Sequence, residues 1–182
     1  MVVASSTVGW AEPVIGTAVE VAKPFEHEDH PRIAASLSVL RTTEKWSQGL
    51  EVTGSYGGYT GGWECEQELE PGAIVPDVAV WCQRPILAVH GLAGRTLDLG
   101  PARARIEIGV GAAGLWTPLA NDELSFSLHP SGLLRAAILF PIGQWGGGDW
   151  RTGLRAQEQV FGIREPMQTA SLGWTLEATV VD

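Results

Sequence analysis

The sequence predicts an all-β protein: an antiparallel sandwich or closed barrel of about 8–10 short strands, with one long inserted loop or arm at residues 57–76. Three observations carry this expectation. Alternation of apolar and polar residues with period two is the dominant pattern. The 23 Gly, 11 Pro and 8 Trp suit short strands joined by tight turns better than a helical bundle. Hydrophobic residues make up 45% of the chain and charged residues 18%, so it can bury enough surface to offset its ordering entropy. Its 182 residues fit one domain, 1–182.

The clearest strand runs from Ala102 to Ala112. Ala102, Ala104, Ile106, Ile108, Val110 and Ala112 share one face, opposite Arg103, Arg105, Glu107, Gly109 and Gly111. A second strand closes the chain, with Leu172, Trp174, Leu176, Ala178 and Val180 opposite Ser171, Gly173, Thr175, Glu177 and Thr179. Weaker strands are readable at Ile15–Ala22, Leu50–Tyr56, Val78–Val89, Arg95–Leu99, Leu124–Leu128, Leu133–Phe140 and Leu154–Ile163. His129-Pro-Ser-Gly132 supplies turn chemistry, so residues 124–140 read as a hairpin, and Gln144–Trp150 reads as a larger turn. Arg32–Arg41 can be drawn as a helix after Pro31, but Ser36, Ser38, Val39, Thr42 and Thr43 favour a strand.

Charge and motifs exclude several classes. The net charge is −9 and the only lysines are Lys23 and Lys45, so there is no basic face for nucleic acid. No stretch is long and apolar enough for a membrane helix. Met1–Ser6 has neither the basic nor the apolar part of a signal peptide, which predicts cytoplasmic synthesis with Cys65 and Cys82 kept as thiols. In an exported chain those two could instead close one loop. No nucleophile elbow, phosphate loop or His-Glu-x-x-His motif is present, so the reading leans away from an enzyme. Gly109-Val-Gly-Ala-Ala-Gly114 matches the dinucleotide fingerprint in letters only, because it ends a strand with no βαβ context.

Four constellations remain. His27-Glu-Asp-His30 could hold a divalent metal through His27 and His30, although a solvated turn is the simpler account, and no other cofactor is implied. Glu64, Glu66, Glu68 and Glu70 share one face of an extended segment, and beside Trp63 they read as an interface to Arg residues of a neighbouring subunit, as a calcium site, or as a charged edge that blocks strand pairing. Arg103, Arg105 and Glu107, with His90, would line the cavity of a closed barrel; a sheet with one wet face gives the same alternation and is commoner. Trp10, Trp46, Trp63, Trp116, Trp145 and Trp150 fall near strand ends, which suits a girdle or an interface.

These features favour a structural subunit of a larger assembly: a virus-particle component such as a capsid decoration, head-to-tail or tail protein. Its partners would be other subunits in a homo-oligomer, without nucleic acid or membrane. A soluble barrel binding or transforming a small apolar ligand is one alternative. An outer-membrane β-barrel whose leader has been removed is the other.

Overall fold

The computed structural model describes residues 12–24, 32–59, 82–83, 85–118, 124–162 and 167–180. They form β1 (Glu12–Pro24), β2 (Arg32–Thr42), β3 (Trp46–Tyr59), the two-residue β4 (Cys82–Gln83), β5 (Ile86–Leu99), β6 (Ala102–Pro118), β7 (Leu124–Trp145), β8 (Gly148–Phe161) and β9 (Met167–Thr179). Each long strand pairs antiparallel with the next in the chain, and β1 pairs with β9, so eight strands close a ring without free edges. β4 adds only a short pairing to the end of β3.

The two ends of the barrel differ. At one end lie Glu12, Val180 and three tight connections, at 43–45, 100–101 and 146–147. Each follows from local chemistry. The Thr43 hydroxyl accepts the Trp46 amide at 3.0 Å, Asp98 accepts the Gly100 amide at 3.0 Å, and Gly146 and Gly147 have φ of 61° and 81°. At the other end the connections are longer: residues 25–31, 60–85, 119–123 and 162–166.

The alternation holds throughout, and its sense corrects one expectation. The face with Arg105 and Glu107 is the buried one, and the face with Ile106, Ile108 and Val110 is exposed. What reads as the wet side of an ordinary sheet is the lumen of the ring. The outward residues on β2 are Ile33, Ala35, Leu37 and Val39, ending in Arg41, and the other strands repeat this pattern.

Three further expectations change. Residues 124–140 are not a hairpin: β7 runs unbroken through His129–Gly132, with Ala112 opposite Pro130 and Gly111 opposite Ser131. Pro130 fits because β8 stops opposite Ser131. The Pro130 carbonyl accepts the Gly162 amide at 3.0 Å, and its missing N–H falls at the margin of that ladder. Arg95–Leu99 is not separate but the end of β5. Gln144–Trp150 narrows to a two-residue turn, with a bulge between Pro141 and Gly143. Residues 32–41 form the expected strand, and Gly109–Gly114 lies inside β6.

Candidate functional site

The inside of the ring is held together by ions. Among the described residues, four carboxylates (Glu20, Glu51, Glu107, Glu177) and four guanidinium groups (Arg32, Arg105, Arg135, Arg155) are buried there, so the formal charges cancel. Glu20, Glu51, Glu107, Glu177, Arg105, Arg135 and Arg155 are linked in one chain of contacts. Arg105 donates to Glu177 at 3.0 Å and pairs with Glu107 at 3.0 Å. Arg135 donates through Nε to Glu107 at 2.7 Å and through Nη1 to Glu51. Arg155 donates to Glu51 at 2.7 Å and pairs with Glu20, which accepts the Ser171 hydroxyl at 2.5 Å. The chain thus begins and ends on β9 and crosses β6, β7, β3, β8 and β1.

Neighbouring strands make room for these side chains. Three of the four glutamates face a glycine in register: Glu177 opposite Gly16, Glu20 opposite Gly173, and Glu107 opposite Gly94. A Cβ on Gly94 would lie 2.5 Å from Glu107 Cγ, and one on Gly173 would lie 2.5 Å from Glu20 Cγ. The nearest atoms to such a Cβ are backbone, the Ile106 carbonyl oxygen at Gly94 and the Val19 carbonyl oxygen at Gly173, so these glycines let the strands and the glutamate stems approach closely there.

The lumen cavities bordered by described residues alone are small. One lumen cavity, bordered by Glu20, Arg32, Gln157 and Phe161, holds about 20 Å³. Another, bordered by Arg103, Arg105, Asp149 and Arg151, holds about 10 Å³. Each has room for about one water molecule. Ile86, Ala88, Ala113, Leu115 and Phe161 form an apolar cluster inside the end with the longer connections.

His90 is fully buried, with Nε2 2.9 Å from Ser131 Oγ, which also accepts from Gln159 at 3.1 Å. The pairing has the composition of a nucleophilic dyad, but both side chains are buried in the lumen. His129 makes a comparable 3.0 Å contact to Ser127. Of the four cavity-lining residues expected from sequence, Arg105, Glu107 and His90 are buried in the lumen, whereas Arg103 is half-buried nearer the short turns. The metal pair His27 and His30 and the interface residues Trp63, Glu64, Glu66, Glu68 and Glu70 lie outside the described residues. Among the described residues no cluster suited to a metal ion occurs.

The outer face is the complementary half of the arrangement. Among the residues between the turns whose side chains are described, its charged groups are Arg41, Arg95 and Glu158, near the strand ends. Aromatic residues mark both margins. Trp116 and Phe126 pair at 5.0 Å towards the longer connections, and Trp145 and Trp150 pair at 5.9 Å beside a short turn. On β7 the outward Phe126 and Phe140 are fourteen residues apart. That is about 46 Å of strand, or about 35 Å of barrel height at a tilt of ~40°.

No protein-family model matches the sequence, and no curated protein matches it either. Solved structures do resemble the fold. Neisserial surface protein A, NspA, superposes with a TM-score of 0.59 at 9% identity, over 92% of this chain and 96% of that one. The outer-membrane enzyme PagL gives 0.51 at 13% identity, over 92% of this chain and 99% of that one. At these identities the likeness establishes the fold alone: this chain has the closed β-barrel architecture of small outer-membrane proteins.

Proposed function

We propose that this protein is an integral outer-membrane β-barrel with a plugged lumen, a rigid membrane-embedded scaffold whose activity resides at its ends and on its outer wall. The observation that carries the reading is the inverted distribution of polarity. Eight strands turn aliphatic and aromatic side chains outward, while four Glu and four Arg are buried inside. In water such an outer face would be an exposed apolar patch far beyond what a soluble monomer tolerates. In a bilayer it is the lipid-facing band, and ring closure satisfies the backbone hydrogen bonds that hydrocarbon cannot.

Barrels of this class have short periplasmic turns and longer outer loops. The end with turns 43–45, 100–101 and 146–147 is therefore assigned to the periplasm, and the end with connections 25–31, 60–85, 119–123 and 162–166 to the exterior.

The virus-particle reading gains nothing from the fold or its structural neighbours, which favour the outer-membrane alternative. The soluble ligand-barrel reading needs an apolar cavity of several hundred Å³ inside the ring. The two lumen cavities described are far too small for that.

The test is to dilute urea-unfolded protein into phospholipid vesicles and, in parallel, into plain buffer. Barrel insertion, read as faster gel migration without heating and protease protection of the strands, is expected only with lipid. A folded, monodisperse β protein in plain buffer would overturn the proposal.

A further inference from the structure

The outer wall is not uniform. Between β2 and β6 it carries an open groove of about 630 Å³, within the range in which proteins hold small ligands. Gly91 and Ala93 on β5 give its floor, because their outward side chains are minimal. Val39 and Leu50 rise on one side, Ile108 and Val110 on the other. Arg41, Gln48, Ala93 and Ile108 form one register row across the four strands, and Arg41 and Gln48 border the groove at its short-turn end.

Further cations stand beyond that row. Arg95 is cross-strand from Trp46, with its guanidinium carbon 3.8 Å from the ring centroid. This stacking holds the group at the margin of the apolar band. Lys45 is exposed in the adjoining turn, and Glu44 is the one carboxylate there.

We propose that the groove binds one acyl chain of an anionic phospholipid, with its phosphate held by Arg41 and Arg95. The inference rests on the outer-membrane reading. A groove facing lipid is filled by hydrocarbon, since a void there would forfeit the dispersion contacts of its lining. Two guanidinium groups at the edge of the band, Arg41 on β2 and Arg95 on β5 with β3 between them, favour a phosphate that carries net negative charge.

A second copy of the chain fits less well. Of the described outward side chains of the strands, the carboxylate it could bring to the two arginines is Glu158, near the opposite end, while Glu12, Glu44, Asp98 and Asp149 at the short-turn end stand in or beside the turns, off the outer wall. Copies inserted in the same direction would hold Glu158 and Arg41 near opposite membrane surfaces.

The experiment is native mass spectrometry of the barrel released from bilayers of equal phosphatidylglycerol and phosphatidylcholine. The expected result is one retained lipid, with phosphatidylglycerol preferred about tenfold. Arg41→Gln with Arg95→Gln should abolish the preference while the barrel still inserts. Gly91→Val should lose the retained lipid altogether; a Cβ at Gly91 meets only the Val110 carbonyl oxygen, at 3.8 Å, so the backbone has room for it. An inserted barrel that retains both lipids equally, or that carries a second protein copy in place of lipid, overturns the lipid site alone. A chain that never inserts overturns the membrane reading and the site with it.

Discussion

Arg135 bridges Glu107 and Glu51, and all three are essentially sealed from solvent at 1%, 1% and 0% exposure. Removing the guanidinium would leave two carboxylates without their shared partner, so Arg135→Met should destabilise the inserted barrel by about 3–5 kcal/mol. Glu107→Gln added to Arg135→Met should recover part of that loss, because the double variant leaves less uncompensated charge. Urea unfolding in vesicles measures both, and a loss below about 1 kcal/mol for the single variant would show that the network does not hold the lumen. Two residues of this network were legible as cavity-lining in the sequence, Arg105 and Glu107 on the polar face of an obvious strand. Glu20, Glu51, Arg135 and Arg155 were missed, and Glu177 was placed on the polar face of the last strand but not in a lumen, although each carries the same local signal. Every one is a lone charge between apolar neighbours: Val19 and Val21, Leu50 and Val52, Leu134 and Ala136, Leu154 and Ala156, Leu176 and Ala178. That pattern marks an inward position on a strand, but which charges meet depends on register between strands far apart in sequence.

For the elements, strand content and most strand positions followed from alternation, including the ambiguous Arg32–Arg41. The error at β7 has a physical source. Pro130 and Gly132 have turn-forming chemistry, and nothing local reveals that the partner strand stops at the point where the proline lacks its donor. The two accounts of this segment differ in what they require of Gly132. In the extended strand it needs no left-handed backbone and a Cβ there would meet nothing within 4 Å, so Gly132→Ala should be neutral or stabilise by up to about 1 kcal/mol. Gly146→Ala, at φ 61° in a true turn, should cost about 1 kcal/mol. Equal losses at both positions would place a turn at 129–132 after all.

On the scale of the whole molecule, alternation identifies faces without saying which one is inside. Sandwich, soluble barrel and membrane barrel share one binary pattern, and ring closure between β1 and β9 separates them only in three dimensions. The closed ring with ions within makes two whole-molecule claims. A lumen crossed by the ion-pair chain, with described cavities of about 20 and 10 Å³, should give no steady conductance in planar bilayers; a stable open channel would mean that the chain of ions does not fill the ring. The second claim, that the apolar outer face lies in lipid, is the central one. Val110 sits midway along β6 with 75% of its surface exposed, which makes it a sensitive site. The decisive measurement is the unfolding free energy of Val110→Arg against the parent chain in vesicles. A loss of about 2–4 kcal/mol, the cost of an arginine at the bilayer midplane, is the predicted result. A change within about 0.5 kcal/mol, as at any exposed position in water, would contradict the account.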